Sequence, residues 1–287
     1  MKAIVLLLAV PYSLDHMQLI YLQTPDRYSC EGLFWPARLK QPKLGAVLVH
    51  GWTFWFDPRD RSRGFCGKLF ATIAERLSES GIPAVLAMNR GFHAPEFFND
   101  CAVDVQANID FLVAQGCEEI LIIGHSLGGA KCAYYAAEVG HPRLRGVVLL
   151  SAIPSTYNFA GKESLIEEAH GKVAEAHVPT ILPFTEGQTV ALHEPNALIR
   201  SFQSAYQGTT LDAAAKIMLP ILSLAAEGEW SWFQEVCKGI KGAAHSSATV
   251  DAQIIAGARD HNYSGHEEDA ARRILAWMRQ VGLDSGG

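Results

Sequence analysis

The chain has 287 residues, 49% of them hydrophobic and 19% charged, a balance that excludes a disordered tail or a fibrous protein. Twenty-four Lys and Arg against 30 Asp and Glu leave a formal charge of -6. No segment concentrates basic residues enough to neutralise a run of phosphates, so nucleic acid is not an expected partner.

Along the chain, the first apolar run, Ala3 to Val10, has only 8 residues, too few to cross a bilayer core of about 30 Å as a helix. Stable membrane insertion is therefore not expected. The run has the length of a signal-peptide core, but Lys2 is its only upstream cation and no A-x-A site follows. A start at Met17 is the other reading, because MQLIYLQT opens a strand. The expected location is cytoplasmic, with secretion the lesser alternative. The six cysteines, Cys30, Cys66, Cys101, Cys117, Cys132 and Cys237, make no CxxC pair or zinc spacing and read as free thiols in a reducing compartment.

Short β-rich runs alternate with longer stretches of helical period, which predicts the α/β class: a mostly parallel sheet with helices on both faces. Strands are expected at Met17 to Thr24, Glu31 to Pro36, Ala46 to His50, Ala84 to Met88, Ile120 to Gly124, Val147 to Ser151, Pro220 to Ala225 and Val250 to Ala256, the first two antiparallel. Phe65, Leu69, Ile73 and Leu77 recur at steps of four before Gly81, predicting a helix. Others are expected from about Cys101 to Gln115, from Leu127 to Val139, and through Ala270, Ile274, Trp277, Met278 and Val281. From about 154 to 215 the rhythm breaks. Fragments such as ESLIEEAHGKVAEA lie between Pro179, Pro183, Gly187, Pro195 and Gly208, with no evident strand. The expectation is one domain, 1–287, with a mainly helical cap inserted there; a long loop is the alternative.

The most informative segment is EEILIIGHSLGGAKCAYYAAE, in which a β-rich run enters Gly124-His125-Ser126-Leu127-Gly128 and leaves as a helix. A serine hydroxyl is a poor nucleophile in water, so an enzyme must expose it, place a base beside it and supply donors for the oxyanion. A sharp strand-to-helix turn meets the first need, and glycines at 124 and 128 remove Cβ atoms where strand and helix approach. Gly124 and Gly129 also have the spacing of a phosphate-binding loop. However, Ala130 stands where that loop needs Lys, and Lys131 is followed by Cys132 rather than Ser or Thr. No G-x-G-x-x-G follows a strand, so a dinucleotide site has no support. The histidines lack the spacing of a zinc protease, and no metal is proposed.

This order of residues resembles the α/β-hydrolase family from about Ala46 to Trp277. The resemblance implies the nucleophile elbow at Ser126, an acid after a later strand and a histidine after the last. His261, in DAQIIAGARDHNYSGHEEDAARRILAW, stands where the family keeps its base. His266 reads as a surface group at a helix start. For the acid, AEGEW supplies Glu229 and Glu227 where most members carry Asp; Glu229 has the usual separation and is favoured, with Glu227 the alternative. The resemblance further implies an oxyanion hole made by the amides of Leu127 and of Trp52, which follows His50-Gly51. The nearby aromatics Phe54, Trp55 and Phe56, with His125, are candidates for an apolar pocket. Arg90, in Asn89-Arg90-Gly91, reads as structural.

The function implied is a serine hydrolase of the carboxylesterase kind, acting on small to medium apolar esters through an acyl-enzyme. No cofactor is implied, and water is the only co-reactant. A small-molecule ester is the expected partner, and no oligomeric state is read. The same triad also serves acyltransferases, thioesterases and carbon-carbon bond hydrolases, and a non-catalytic ligand-binding protein of the same fold is a further alternative.

Overall fold

In β1 (Gln18–Gln23) and β2 (Ser29–Trp35) apolar residues alternate, so that Ile20, Leu22, Cys30 and Phe34 are buried. The two strands pair antiparallel, with Leu22 facing Cys30. Residues 17–38, 42–51, 67–87, 98–154, 167, 182–186, 189–193 and 208–283 are described by the structure, a computed structural model. The hairpin forms one margin of an eight-stranded sheet that continues with β3 (Leu44–Val49), β4 (Ala84–Ala87), β5 (Glu119–His125) and β6 (Leu144–Leu150). A two-stranded ribbon, β7 (Leu182–Glu186) and β8 (Thr189–His193), intervenes before β9 (Ile221–Ala226) and β10 (Val250–Ile255) complete the sheet. Its order is β1-β2-β4-β3-β5-β6-β9-β10. β2 meets β4 antiparallel, and every pair from β4 to β10 is parallel.

The central strands are apolar on both faces because helices cover both. Along β3, Ala46 and Leu48 face one helical layer while Val47 and Val49 face the other; Leu121 and Ile123 against Ile120 and Ile122 repeat the split on β5. The first layer holds α1 (Gly67–Glu79), which buries Leu69, Phe70, Ile73 and Leu77, and α6 (Glu267–Gln280), which buries Ala270, Ile274, Trp277 and Met278. The second holds α2 (Cys101–Ala114), α3 (Leu127–Tyr134), α4 (Thr210–Lys216) and α5 (Ser231–Ala243). A π-helical turn, Tyr135–Val139, extends α3. α2 is stopped by Gly116, whose φ of +97° suits glycine and whose N–H bonds the Val113 carbonyl at 3.0 Å. Cys30, Cys101, Cys117, Cys132 and Cys237 are buried free thiols; Cys66 lies outside the described residues.

All eight sheet strands read from the sequence are present, with ends displaced by at most three residues. Three features differ from the reading. α5 is not among the expected elements, although Phe233, Val236, Cys237 and Ile240 form its buried stripe at helical spacing. The β7–β8 ribbon falls where no strand was evident; Pro183 reads as a breaker, yet a two-stranded ribbon tolerates proline because each strand has an unpaired edge. The expected insertion runs to 215, but the chain is back in the core by Thr209. Ala213 and Ala214 are buried in the second layer, and Thr210 N–H bonds the Pro154 carbonyl at 3.0 Å. Apart from Glu167 and the ribbon, residues 155–207 lie outside the described ones, as does Arg90.

Candidate active site

The parallel strands all end at one margin of the sheet, and loops leaving those ends carry the candidate residues. β5 passes into α3 at Ser126, whose φ of 58° and ψ of -122° are disfavoured for any residue with a Cβ. Close packing imposes this bend. A Cβ at Gly124 would lie 2.1 Å from the Gly128 carbonyl oxygen, and one at Gly128 would lie 2.0 Å from that of Val49. From Leu121 to Ala130 every residue is buried except Ser126, so the turn brings one hydroxyl-bearing side chain to the surface. Gly51 packs against it, its missing Cβ position 3.4 Å from Ser126 Oγ. Leu127 is the first residue of α3, so its N–H has no carbonyl of its own helix to bond.

β9 and β10 pair in register from Val250 with Ile221 to Ile255 with Ala226, so the loops after them emerge together. Backbone bonds tie the loops: Gly228 N–H to the Ala258 carbonyl at 2.8 Å and Glu227 N–H to that of Ile255 at 3.2 Å. Gly228 permits this contact, since a Cβ there would lie 2.6 Å from the Arg259 carbonyl oxygen. Glu229 on the first loop then meets His261 on the second, Nδ1–H donating to Oε2 at 2.8 Å. The other carboxylate oxygen accepts from Ala226 N–H and Ser151 Oγ–H, both at 2.8 Å. The Glu229 side chain is fully enclosed, and that of His261 retains 14% of its exposure.

The imidazole is fixed on several sides. Phe233 of α5 stacks on it with centroids 4.2 Å apart and planes 28° from parallel. The His125 ring lies 4.4 Å away, and its Nε2–H donates to the His261 carbonyl at 2.8 Å. Trp230, 49% exposed, stands 6.3 Å from the His261 ring. Asp260 shapes the loop by accepting from the N–H groups of Asn262 and Ser264.

Burial penalises charge on both members of the pair. It pushes the Glu229 carboxyl up, to about 7, against the bonds from Ser151 and Ala226. It pushes the His261 imidazole down, to about 4, with the Asp260 charge opposing. Protons on such a pair belong to the pair rather than to either residue. His125 is held well below the ordinary histidine value by burial and by its His261 neighbour.

Of the residues read from the sequence, Glu229 and His261 are brought together, and His125 ties Ser126's immediate neighbourhood to the His261 backbone. Glu227 is directed elsewhere: it is exposed, and its Oε2 accepts from Gly257 N–H at 2.9 Å. His125, expected at a pocket wall, is instead fully buried. His266 precedes α6 and packs near Gly257. Trp52, Phe54, Trp55 and Phe56 lie outside the described residues. Sequence reasoning missed Ser151, Phe233, Trp230 and Tyr263. Phe233 was readable from its apolar stripe in α5, whereas Ser151 follows a strand and carries no motif.

The chain belongs to the alpha/beta hydrolase family, whose profile matches residues 46–280. Solved structures of similar fold include Est1E from Butyrivibrio proteoclasticus, at 15% identity and TM-score 0.63, covering 92% of this chain and 98% of that one. The alpha/beta hydrolase GrgF from Penicillium sp. sh18 is also similar, at 15% identity and TM-score 0.71 over 92% and 98%. A thermostable carboxyl esterase from Bacillus coagulans, in complex with glycerol, has 12% identity and TM-score 0.64 over 93% and 99%. No curated protein matches the sequence. Among the described residues no helix is long and apolar enough to cross a membrane.

Proposed function

We propose that the protein is a serine hydrolase that cleaves carboxylic esters of small to medium apolar substrates through an acyl-enzyme. Ser126 Oγ attacks the ester carbonyl carbon and passes its proton to His261 Nε2, while Glu229 holds Nδ1–H and stabilises the imidazolium that forms. The oxyanion is held by the amides of Leu127 and Trp52. As the tetrahedral adduct collapses, His261 returns the proton to the leaving alcohol. A water then attacks the acyl-serine and gives its proton to His261, which passes it to Ser126 Oγ as the adduct collapses and the acid departs.

The observation that carries this reading is the 2.8 Å bond from His125 to the His261 carbonyl. It joins the residue beside Ser126 to the residue paired with Glu229. Trp230 supports the apolar preference by offering an exposed indole next to the imidazole. Residues 155–208 are proposed as the cap that selects the acyl group. Their root lies beside the elbow: Ile153 N–H bonds the Ser126 carbonyl at 3.3 Å, and Thr210 Oγ1–H that of Ile153 at 2.6 Å.

The test is hydrolysis of p-nitrophenyl esters of graded acyl length by the wild type and Ser126→Ala. The substitution is expected to lower kcat/KM by about 10^4-fold or more. Equal rates would refute the proposal.

A further inference from the structure

Beyond the serine, histidine and carboxylate, two buried hydroxyls meet the site and have no part in the chemistry so far derived. Ser151 directly follows β6 and is 0% exposed; Tyr263 lies two residues after His261 and is also 0% exposed. Ser151 Oγ sits 2.8 Å from Glu229 Oε1 and 2.7 Å from Tyr263 Oη. A carboxylate oxygen only accepts, so the serine proton points to Glu229. The single Tyr263 hydroxyl proton is shared between Ser151 Oγ and the Leu224 carbonyl, to which Tyr263 Oη–H donates at 3.0 Å and which also accepts Ser151 N–H at 2.7 Å. Both residues have positive φ, +43° at Ser151 and +58° at Tyr263, a region sterically disfavoured for side chains with a Cβ. With Ser126 they are three of the four non-glycine residues in that region among those described. Such conformations persist where surrounding structure holds them in place.

We propose that Tyr263 and Ser151 are positioning residues, a hydroxyl chain running Tyr263 to Ser151 to Glu229 that keeps the buried carboxylate ionised and aimed at His261. This rests on the hydrolase reading only for its catalytic consequence. The chain matters because burial penalises the Glu229 charge and Ser151 is one of only three groups that donate to it among the described residues. Asp260, on the loop after β10, adds negative charge nearby, and Cys237 of α5 and Tyr263 itself also sense Glu229. Ala226 N–H and His261 are its other donors. A donor bond favours the ionised form, so its loss raises the pH at which the Glu229–His261 pair takes up its first proton.

The test compares pH profiles of kcat/KM and NMR titrations of the His261 ring for the wild type, Ser151→Ala and Tyr263→Phe, with folding checked by circular dichroism. Ser151→Ala is expected to move the acid limb and the NMR midpoint up by about one pH unit. The loss of about fivefold at pH 7 is then recovered by pH 9. Tyr263→Phe, which keeps the ring, is expected to produce a smaller shift in the same direction. Midpoints superimposed on the wild type in folded variants would overturn the proposal. The NMR titration needs no substrate, so a shift in protein that hydrolyses no ester would uphold the chain and refute the hydrolase reading alone.

Discussion

At the scale of single residues, the two glutamates of AEGEW separate by their hydrogen bonds. Glu229 is enclosed and bonded to His261, while Glu227 points to Gly257. Glu229→Gln is therefore expected to reduce kcat by about 10^4-fold through loss of the imidazole's charged partner, and Glu227→Gln to change it less than about threefold. Comparable losses in the two would contradict the assignment. In the proposed mechanism the pair also sets the pH dependence: His261 must be free of the shared proton to accept one from Ser126, so activity is expected to fall as the pH drops through the pair's first protonation. With burial raising the Glu229 carboxyl to about 7, the acid limb of kcat/KM is expected near pH 7. A limb at pH 5 or below would show that burial does not govern the pair. Much of this site was legible: GHSLG marks the serine because its glycines are sterically required, and the loop after the last strand marks the histidine. Ser151 and Tyr263 were not, since they acquire meaning only when the ends of β6, β9 and β10 come together.

At the scale of elements, backbone contact distinguishes glycines that the composition cannot. Gly128 sits where a Cβ would lie 2.0 Å from the Val49 carbonyl oxygen, whereas at Gly242, within α5, a Cβ would meet nothing within 4 Å. Gly128→Ala is expected to destabilise the fold by about 3 kcal/mol, lowering Tm by about 6–12 °C. Gly242→Ala is expected to raise stability by about 0.5–1 kcal/mol through helix propensity. Calorimetry on both variants checks the opposite signs, and a neutral Gly128→Ala would mean that strand and helix can part without cost. The sheet was the most readable part of the chain because its parallel strands are buried on both faces and appear as unbroken apolar runs, as in ILII of β5. The β7–β8 ribbon was hidden because Pro183 and Gly187 mimic loop punctuation. α5 needed only the Phe233, Val236, Cys237 and Ile240 spacing to be noticed.

At the scale of the whole molecule, two cores on opposite faces of one sheet hold three loop ends in fixed relation, and the segment proposed as a cap leaves the sheet after β6 and rejoins it at α4. Because Pro154 and Thr210 are hydrogen-bonded neighbours, replacing residues 155–208 with about four Gly and Ser residues is expected to leave a folded protein. That protein should still be labelled at Ser126 but have lost its discrimination among acyl lengths; an unfolded product would show that the insertion belongs to the core. The central claim, that Ser126 is a nucleophile activated by the Glu229–His261 pair, is tested most directly by fluorophosphonate treatment followed by intact and peptide mass spectrometry. The account predicts one adduct per chain, on Ser126, formed far more slowly in His261→Ala. No adduct, or one on another residue, would contradict it.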